Sequence, residues 1–377
     1  MDKKEEKKTL KSYNHLMEIY LTTENYDLAV KNATMHKTGK KKKRKQAEEY
    51  RKNKDKYRED IMYYAENFYN EEHKPILIYD GIRRKQRYII VPTMREQIVH
   101  HMVVNTLKPI FFNGMYEHSY GSIPNRGGHK GKRTVEKWIK KDSENTKYCL
   151  KIDIKKFFES IPHDIMKEKL HKIIHDERFY TILCKIIDAT DVGIPLGFYT
   201  SQWLANWYLQ DLDHYIKEKL NAKYYIRYMD DMVIFGNNKS ELHNIRIKIE
   251  KYLNDNLGLC LKENWQVFLF DVIDDSGIHY GRDLDFMGFR FFRNKTILRK
   301  SIMLKSTRKA KRIMKKRNRT IYDCRQMLSY LGWIDATDTY NIYSHYIKPH
   351  VSFRRLRKQV SKYDKERCLE CGSTQNT

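Results

Sequence analysis

The chain has 377 residues, 40% hydrophobic and 13% aromatic, which is enough for one large domain or about two or three smaller ones. Its 74 Lys and Arg against 48 Asp and Glu give a net charge of +26, so a polyanionic partner is favoured, either nucleic acid or an anionic membrane surface. No apolar stretch is long enough to span a bilayer, and the N-terminus lacks the pattern of a signal peptide. We therefore expect no membrane partner and favour a cytoplasmic protein that binds nucleic acid. A lysine-rich or ribosome-associated protein is the alternative.

The N-terminal part of the chain is lysine-rich and helix-prone, and we assign residues 1–70 to a basic helical extension. Within this extension, the Thr38–Lys45 run predicts a mobile loop before a helix that begins at about Gln46. The run either contacts phosphates or forms a solvated face.

Two strands are predicted next, at 75–79 and 87–92. The turn-forming pair Asp80-Gly81 and the basic string Arg83–Lys85 lie between them. A helix from about Arg95 to Phe111 follows.

A glycine-rich, basic loop is predicted between Tyr116 and Arg133, where glycines let the backbone approach a ligand and cations suit phosphate. The remaining predicted elements are a strand at Lys147–Asp153, a helix at about Gln202–Leu220, strands at Lys223–Met229 and Met232–Phe235, an extended segment at Asp285–Phe292 and a basic helix at Arg299–Arg319. Strands that alternate with helices, followed by a helical region, predict an α+β body with a helical C-terminal domain.

Six cysteines are scattered through the chain and lie mostly inside apolar runs. In a cytosolic protein we expect reduced, buried thiols. Cys368 and Cys371 have the spacing of two zinc ligands, but they make only half of a zinc site.

Two adjacent carboxylates interrupt a hairpin pattern at Tyr228–Asp231. A two-residue turn favours Asn-Gly or Asp-Gly because both turn positions need a positive φ, so Asp230-Asp231 is a poor turn with two like charges. Local rules are broken in this way mainly at functional sites. Divalent cations would relieve the repulsion, since Mg²⁺ binds to a few carboxylates together with substrate phosphates.

Asp153 is the candidate for a third carboxylate because it ends an apolar strand. Three aspartates on neighbouring strands, Asp153, Asp230 and Asp231, would bracket two Mg²⁺ ions for phosphoryl transfer, with Mn²⁺ as a substitute. The alternatives are an ordinary acidic turn at Asp230-Asp231 and a surface salt bridge at Asp153.

These motifs resemble those of reverse transcriptases. Tyr228–Asp231 and Lys151–Phe158 are similar to palm motifs C and A, and Gly193–Leu209 is similar to motif B. Phe286, Met287 and Gly288 lie in a segment that resembles the primer grip, and residues 87–129 contain motifs similar to those of the fingers. The resemblance covers roughly Lys74 to Arg299.

The resemblance implies a right-hand polymerase fold. It places the fingers at 71–145 with an insertion at 160–195, the palm at 146–292, and a helical, basic thumb and tail at 293–377. The implied activity is RNA-directed DNA polymerisation from a template RNA, a primer and deoxynucleoside triphosphates. An RNA-directed RNA polymerase and an inactive nucleic-acid scaffold are alternatives of other classes.

The resemblance also implies roles for individual residues. The backbone of Ile154 would join the metal ligands, and the incoming nucleotide would contact Arg87, Lys85, Phe158, Leu196, Gly197 and Gln202. Phe158 would exclude ribonucleotides by steric clash, with Phe157 as the better candidate for a core side chain. Lys262 is either a general acid for the departing pyrophosphate or an exposed lysine without a role. The nucleic-acid backbone would contact Arg299, Lys300, Lys305, Arg308, Lys311 and Arg312.

Motif B departs from the common family pattern, because Leu196 stands where many members have glutamine. Leucine cannot form the hydrogen bond of that glutamine to the nucleotide sugar, a bond that contributes roughly 0.5–1.5 kcal/mol. Leu196–Gln202 resembles the pattern of reverse transcriptases from diversity-generating retroelements. That resemblance implies a bacterial or phage-infected cell, error-prone copying at adenines and a small basic accessory protein. The alternative is a group II intron-like or phage-defence reverse transcriptase.

Overall fold

The computed structural model describes residues 12–35, 41–80 and 85–371; the side chains of 41–43, 80, 85 and 365–371 are outside the description. The helices are α1 Leu16–Tyr20, α2 Thr23–Thr34, α3 Lys41–Lys52, α4 Lys54–Glu66, α5 Met94–Phe112, α6 Gly128–Lys141, α7 Phe157–Ser160, α8 His163–His171, α9 Glu177–Ile187, α10 Tyr199–Tyr208, α11 Gln210–His214, α12 Lys239–Leu257, α13 Lys300–Met314, α14 Ile321–Asp335, α15 Tyr340–Tyr346 and α16 Phe353–Cys371. The strands are β1 Ile76–Asp80, β2 Lys85–Ile89, β3 Tyr148–Asp153, β4 Tyr224–Tyr228, β5 Asp231–Gly236, β6 Gln266–Leu269, β7 Val272–Ile273, β8 His279–Tyr280, β9 Leu284–Phe286, β10 Phe289–Phe291 and β11 Thr296–Leu298.

The chain divides into two compact units. Unit 1 contains Met1–Arg126, Leu150–Ile234 and Ser240–Gln266, and unit 2 contains Gly127–Cys149, Phe235–Lys239 and Val267–Thr377. Whether the predicted fingers, palm and thumb have the boundaries given above stays a prediction. In the described part of the chain, no helix combines the length and apolarity that a membrane crossing needs.

The N-terminal helices of unit 1 pack on α5 through an apolar face. Helix α2 buries Tyr26, Ala29 and Val30 and begins at Thr22, whose side chain accepts a hydrogen bond from the backbone N–H of Asn25. The loop predicted at Thr38–Lys45 is wrong for its second part, because α3 already begins at Lys41. Lysine and arginine have good helix propensity, so a charged run extends a helix where nothing in it breaks the helix. Residues 38–40 lie outside the described residues.

The two predicted strands after this helical region are confirmed as the antiparallel β1–β2 hairpin, with Ile76 opposite Ile89 and Asp80 opposite Lys85. Strand β2 runs from Lys85 to Ile89 instead of 87–92, and it ends there because the backbone N–H of Ile90 donates to the carbonyl oxygen of Leu196 and not to β1. Residues 81–84 lie outside the described part.

A four-stranded sheet with the order β4-β5-β3-β6 places β3 beside β5. Its central strands bury apolar side chains, including Leu150, Ile152, Val233 and Ile234. The sheet therefore brings the end of β3 close to the start of β5, where the predicted catalytic aspartates lie.

The helix predicted at about Gln202–Leu220 is broken in the structure. It begins earlier, as α10 at Tyr199, breaks at Leu209 and ends in a π-helical segment, Tyr215–Lys219. Its buried side chains at 204, 208, 212 and 216 recur every four residues. A repeat of four is longer than the 3.6 residues of an α-helical turn, and a wider π-helical turn keeps the last of them on the buried side.

Unit 2 contains the antiparallel sheet β11-β10-β9, the β7–β8 hairpin and the C-terminal helices. The extended segment predicted at Asp285–Phe292 is instead a hairpin, with Phe286 opposite Phe289 and a turn at Met287-Gly288. The glycine at the second turn position accounts for the difference, since its φ of +87° is accessible at little cost.

The basic helix predicted at Arg299–Arg319 is shorter, because α13 ends at Met314. The reason lies in the next helix: Thr320 and Asp323 form a capping box at the start of α14. Lys309 and Lys316 each lie 2.7 Å from an oxygen of Asp323.

Of the cysteines whose side chains are described, Cys149 and Cys324 are buried as expected, Cys184 is half-buried and Cys260 is exposed. All four are free thiols. The side chains of Cys368 and Cys371 lie outside the described part, so the half zinc site stays a prediction.

Candidate active site

Asp153 and Asp230, both in unit 1, come together where β3 ends and the β4–β5 connection begins. Asp153 is the last residue of β3, and Asp230 lies in the connection between β4 and β5. The backbone N–H of Ile154 donates a hydrogen bond to the carbonyl oxygen of Asp230 at 3.4 Å, which joins the two segments. Burial, and then the neighbouring carboxyl group of Asp153, raise the pKa of Asp230 to about 6. The pair is therefore a site of accumulated negative charge.

The turn differs in register from the prediction. The two connecting residues are Met229 and Asp230, and Asp231 is already the first residue of β5. Met229 takes the left-handed conformation, with φ 56°, which costs a residue other than glycine roughly 1–2 kcal/mol. The prediction had placed positive φ at Asp230-Asp231, where neither residue has it.

Two lysines lie beside the carboxylates. The Nζ of Lys262 is 2.6 Å from Oδ1 of Asp153, and its backbone N–H donates to the carbonyl oxygen of Asp153. The Nζ of Lys151 is 3.7 Å from Oδ2 of Asp231. Each lysine offsets part of the negative charge that the aspartates concentrate here.

The donor set suits a hard divalent cation. Asp153 and Asp230 supply the oxygens, and Mg²⁺ binds through one or two carboxylates with substrate phosphates in its remaining positions. Burial and then the Asp153 carboxyl group raise the pKa of Asp230, and a bound cation would favour its charged form. Among the described residues no group of three His, Cys, Asp or Glu side chains is arranged to hold a metal. Two of the predicted carboxylates are thus paired, and Asp231 lies beside Lys151.

Motif B is packed against both Phe158 and the end of the β1–β2 hairpin. The backbone N–H of Ile194 donates to the carbonyl oxygen of Phe158 at 2.8 Å, and that of Ile90 donates to the carbonyl oxygen of Leu196 at 2.8 Å. Gly197 has φ 114°, and a Cβ there would lie 2.0 Å from the carbonyl oxygen of Ile90. Only glycine allows this close approach.

The side chains predicted to contact the nucleotide are partly accessible. Phe158, Leu196 and Arg87 are half-buried, and Gln202 is exposed on α10. Phe157 is 3% exposed, as expected for the core member of the phenylalanine pair. The side chain of Lys85 lies outside the described part. Nucleotide contact by these residues stays a prediction.

Sequence reasoning missed a buried polar network behind the turn. Arg227 is 1% exposed and forms an ion pair with Asp213, with Nη2 and Oδ2 at 2.5 Å. Its Nη1 also donates to the carbonyl oxygen of Met229 at 3.0 Å. Burial is the largest single influence and lowers the pKa of Arg227, but the charge and hydrogen bond of Asp213, together with Tyr225, outweigh it and raise this pKa above its usual value. An arginine in the middle of an apolar strand, Tyr225-Ile226-Arg227, was the signal that could have revealed it.

The predicted primer grip and the basic helix belong to unit 2. Phe286 and Met287 are buried, so a primer contact at this hairpin would come from its backbone. On α13, Met303, Ser306, Ala310 and Ile313 form the buried face. Of the predicted backbone-contact residues, the exposed ones are Lys300, Lys305, Arg308, Lys311 and Arg312. Arg299 instead lies 2.5 Å from Asp285. Contact of this helix with nucleic acid stays a prediction.

The chain is similar to known proteins over its central part. Residues 73–291, more than half of the chain, match the family model described as reverse transcriptase (RNA-dependent DNA polymerase). Protein YkfC of Escherichia coli K12 is 27% identical over 146 residues, covering 36% of this chain and 38% of that protein. The retron Ec73 reverse transcriptase of Escherichia coli is 26% identical over a match that covers 41% of this chain and 50% of that protein. The group II intron-encoded protein LtrA of Lactococcus lactis is 27% identical over a match that covers 35% of this chain and 23% of that protein. The chain thus spans half or less of the length of each relative.

Among solved structures, apo telomerase from Candida tropicalis has a TM-score of 0.47 and 14% identity, covering 72% of this chain and 55% of that chain. Its complex with a fragment of telomeric RNA has a TM-score of 0.46 and 12% identity, covering 79% and 54%. These scores are too low to support an argument about function.

The fold class agrees with the prediction: helices and antiparallel sheets, as in the right-hand polymerase fold of the matched family. On the match of residues 73–291, the chain belongs to the reverse transcriptase family.

Proposed function

We propose that this chain is an RNA-directed DNA polymerase that extends a primer on an RNA template. The observation that carries the proposal is the pair of Asp153 and Asp230, held at the end of β3 and in the β4–β5 turn. Phosphoryl transfer requires little covalent chemistry from a protein, so positioning and charge stabilisation provide most of the catalysis. A concentrated pair of carboxylates beside two lysines can provide both.

Asp153, Asp230, Asp231, the first residue of β5, and the backbone carbonyl of Ile154 would hold the divalent cations. When bound, two Mg²⁺ ions supply Lewis acidity at the primer hydroxyl and at the triphosphate. Lys262, whose Nζ is 2.6 Å from Oδ1 of Asp153, would donate a proton to the leaving pyrophosphate. Arg87 would bind the triphosphate through its fork of donors, alongside Lys85.

The test is primer extension by the full chain on an RNA template with deoxynucleotides and Mg²⁺. We expect Asp230→Asn to lower kcat on the order of a thousandfold, since several kcal/mol of charge stabilisation depend on the cation site. Asp255→Asn removes an equal charge from an exposed helix position and serves as the matched control, with unchanged extension expected. Wild-type extension by Asp230→Asn would contradict the proposed site, and extension with ribonucleotides in preference to deoxynucleotides would identify an RNA polymerase instead.

Phe158 is the proposed determinant of sugar selection. Its ring is half-buried and lies 5.6 Å from the ring of Phe157, while motif B packs on its carbonyl oxygen. Phe158→Ala should therefore increase the incorporation of ribonucleotides relative to deoxynucleotides, and Phe157→Leu should not. Equal sugar selectivity in Phe158→Ala and the wild type would remove this residue from the proposal.

We further propose that this polymerase copies its template with low fidelity, as in diversity-generating retroelements, and misincorporates opposite adenine. A small basic accessory protein would be its partner. The proposal of low fidelity is supported by Leu196, whose side chain offers no hydrogen-bonding group and whose carbonyl oxygen is already bonded to Ile90. We expect Leu196→Gln to lower misincorporation opposite adenine by several-fold, the equivalent of roughly one hydrogen bond. Sequencing of the cDNA measures it, with the apolar Leu196→Met as the control. An identical error spectrum in all three proteins would exclude a role for Leu196.

A group II intron-like or phage-defence reverse transcriptase is the second candidate, favoured by the retron and group II intron relatives. It predicts low misincorporation opposite adenine in the wild type itself, so the same sequencing experiment separates the two candidates.

A further inference from the structure

The catalytic turn is held from inside the protein by one buried arginine. Arg227 has five N–H donors, and each of them has an acceptor. Nε and Nη2 donate to the two carboxylate oxygens of Asp213 at 2.8 and 2.5 Å. Nη2 also donates to the carbonyl oxygen of Asn206 at 3.3 Å, and Nη1 donates to the Asn206 side chain at 3.2 Å. The last bond runs from Nη1 to the carbonyl oxygen of Met229 at 3.0 Å, so the network ends on the turn itself.

The anchor of this network is fixed independently of the turn. Asp213 is fully buried on α11 and accepts a third hydrogen bond from the hydroxyl of Tyr225 at 2.6 Å. The backbone of Arg227 is held on its other side, because its N–H donates to His118 and its carbonyl oxygen accepts from Tyr120. The guanidinium group thus has one orientation available, which points Nη1 at Met229.

A second set of contacts holds the turn from the side of Gly121. The amide of Asn206 donates to the carbonyl oxygen of Gly121 at 2.8 Å and reaches the sulfur of Met229 at 3.2 Å. A Cβ on Gly121 would lie 2.6 Å from the backbone nitrogen of Met229 and 2.5 Å from its Cγ. Met229, at φ 56°, is therefore enclosed by Gly121, Asn206 and Arg227.

Met229, the enclosed residue, sets the orientation of the carboxylate that follows it. Met229 precedes Asp230, and a left-handed residue persists only where its surroundings determine it. Loss of the bond from Arg227 would let Met229 relax toward the favoured negative φ and would rotate the following carboxylate away from Asp153. Burying the charged guanidinium group of Arg227 costs free energy, and apolar residues of similar volume would stabilise the fold at least as well. Stability alone therefore does not explain an arginine at this position.

We propose that Arg227, held by Asp213 and Asn206, is a positioning residue that fixes the left-handed Met229 and so aims Asp230 at Asp153. The expected effect on kcat rests on the proposed function, whereas the expected effect on the conformation of the β4–β5 turn does not.

The test compares Arg227→Lys with Gly121→Ala, which disturb the same turn from opposite sides. Lysine keeps the charge but loses the fork, and alanine at position 121 displaces the backbone of Met229. For both variants we expect kcat to fall on the order of 100-fold, as for a small misplacement of a reacting group. The KM for deoxynucleotide and the Kd for primer–template should stay within about threefold of wild type. Gly332→Ala, where a Cβ meets nothing within 4 Å, is the matched control with unchanged kcat.

A merely structural role predicts another pattern, with a lower unfolding temperature but a wild-type kcat per folded molecule, and that result overturns the proposal. Amide hydrogen exchange across residues 224–236 provides a readout without catalysis. Faster exchange at Met229–Asp231 in both variants is expected, and wild-type protection in both would overturn the proposal. If the wild-type chain does not extend a primer, the proposed function fails while the exchange experiment still decides this inference.

Discussion

Two tight turns in this protein begin with a methionine in the left-handed conformation. In unit 1, Met229 at φ 56° precedes Asp230 between β4 and β5; in unit 2, Met287 at φ 51° precedes Gly288 between β9 and β10. The second positions differ, since Gly288 has φ 87° and Asp230 has no positive φ. The β9–β10 turn thus has the two positive φ angles of a favoured hairpin turn, and the β4–β5 turn does not.

The difference lies in what holds each turn. Glycine makes the β9–β10 turn locally favourable, and the backbone N–H of Arg299 adds one hydrogen bond to the carbonyl oxygen of Gly288. The β4–β5 turn has an aspartate at that place and depends on hydrogen bonds from Arg227 and Asn206. Under the proposed function this turn presents a carboxylate and therefore cannot have glycine at that position, so that buried partners distant in sequence stabilise it in place of the local preference.

The largest effect on stability is expected at the locally determined turn. Gly288→Ala introduces a Cβ at 2.8 Å from Cδ1 of Ile302 and 3.0 Å from Trp333, at a φ that alanine disfavours. We expect a loss of about 3 kcal/mol in the free energy of unfolding, from the backbone and crowding costs together. Urea denaturation of the full chain measures it, with Gly332→Ala as the matched control. An unchanged free energy would show that glycine does not determine this turn.

A smaller effect on stability is expected at the β4–β5 turn when the charge of Asp230 is removed. Because the pKa of Asp230 is raised to about 6, the folded metal-free protein loses stability as the pH rises from about 4 to 6, while the unfolded chain ionises freely. Asp230→Asn should be as stable as wild type below pH 4 and more stable by on the order of 2 kcal/mol above pH 6.

Thermal unfolding in EDTA across this pH range measures the difference, and Asp255→Asn controls for the loss of one negative charge. Adding Mg²⁺ should stabilise the wild type and leave Asp230→Asn largely unaffected. A difference between the two proteins that does not vary with pH would contradict the raised pKa of Asp230, whose causes are burial and then the Asp153 carboxyl group.

The smallest effect is expected for Met229→Gly. Glycine removes the left-handed strain but increases the freedom of the unfolded chain, so the free energy of unfolding should change by less than about 1 kcal/mol. Since Arg227 bonds to the carbonyl oxygen of residue 229, the hydrogen bond survives the substitution. A loss well above this value would mean that the side chain of Met229, beside Asn206 and Gly121, contributes more to stability than the backbone conformation costs.

Much of the fold could be predicted because its elements follow local rules. The β1–β2 hairpin consists of two strand-like runs with turn-forming residues between them. Strands β3 and β5 are apolar runs of strand length. The helix from about Gln202 was predicted as one piece because Leu204, Tyr208, Leu212 and Ile216 are spaced close to a helix period, whereas the chain breaks at Leu209 and ends in a π-helical segment. The end of α13 was missed because it depends on Asp323, seven residues after Lys316.

The sequence by itself predicted the carboxylates of the candidate site, since Asp153 interrupts an apolar strand and Asp230 breaks a turn rule. It also determined that Phe157 rather than Phe158 is the core residue. Only the tertiary structure decided which residues form the turn, which lysine neutralises which aspartate, and that Arg227 supports Met229. The ion pair of Asp153 with Lys262 joins residues about a hundred positions apart, and nothing in the local sequence fixes such a distance. The turn at Met229–Asp230 is therefore recognisable from its sequence, but its conformation is set by the side chains buried behind it.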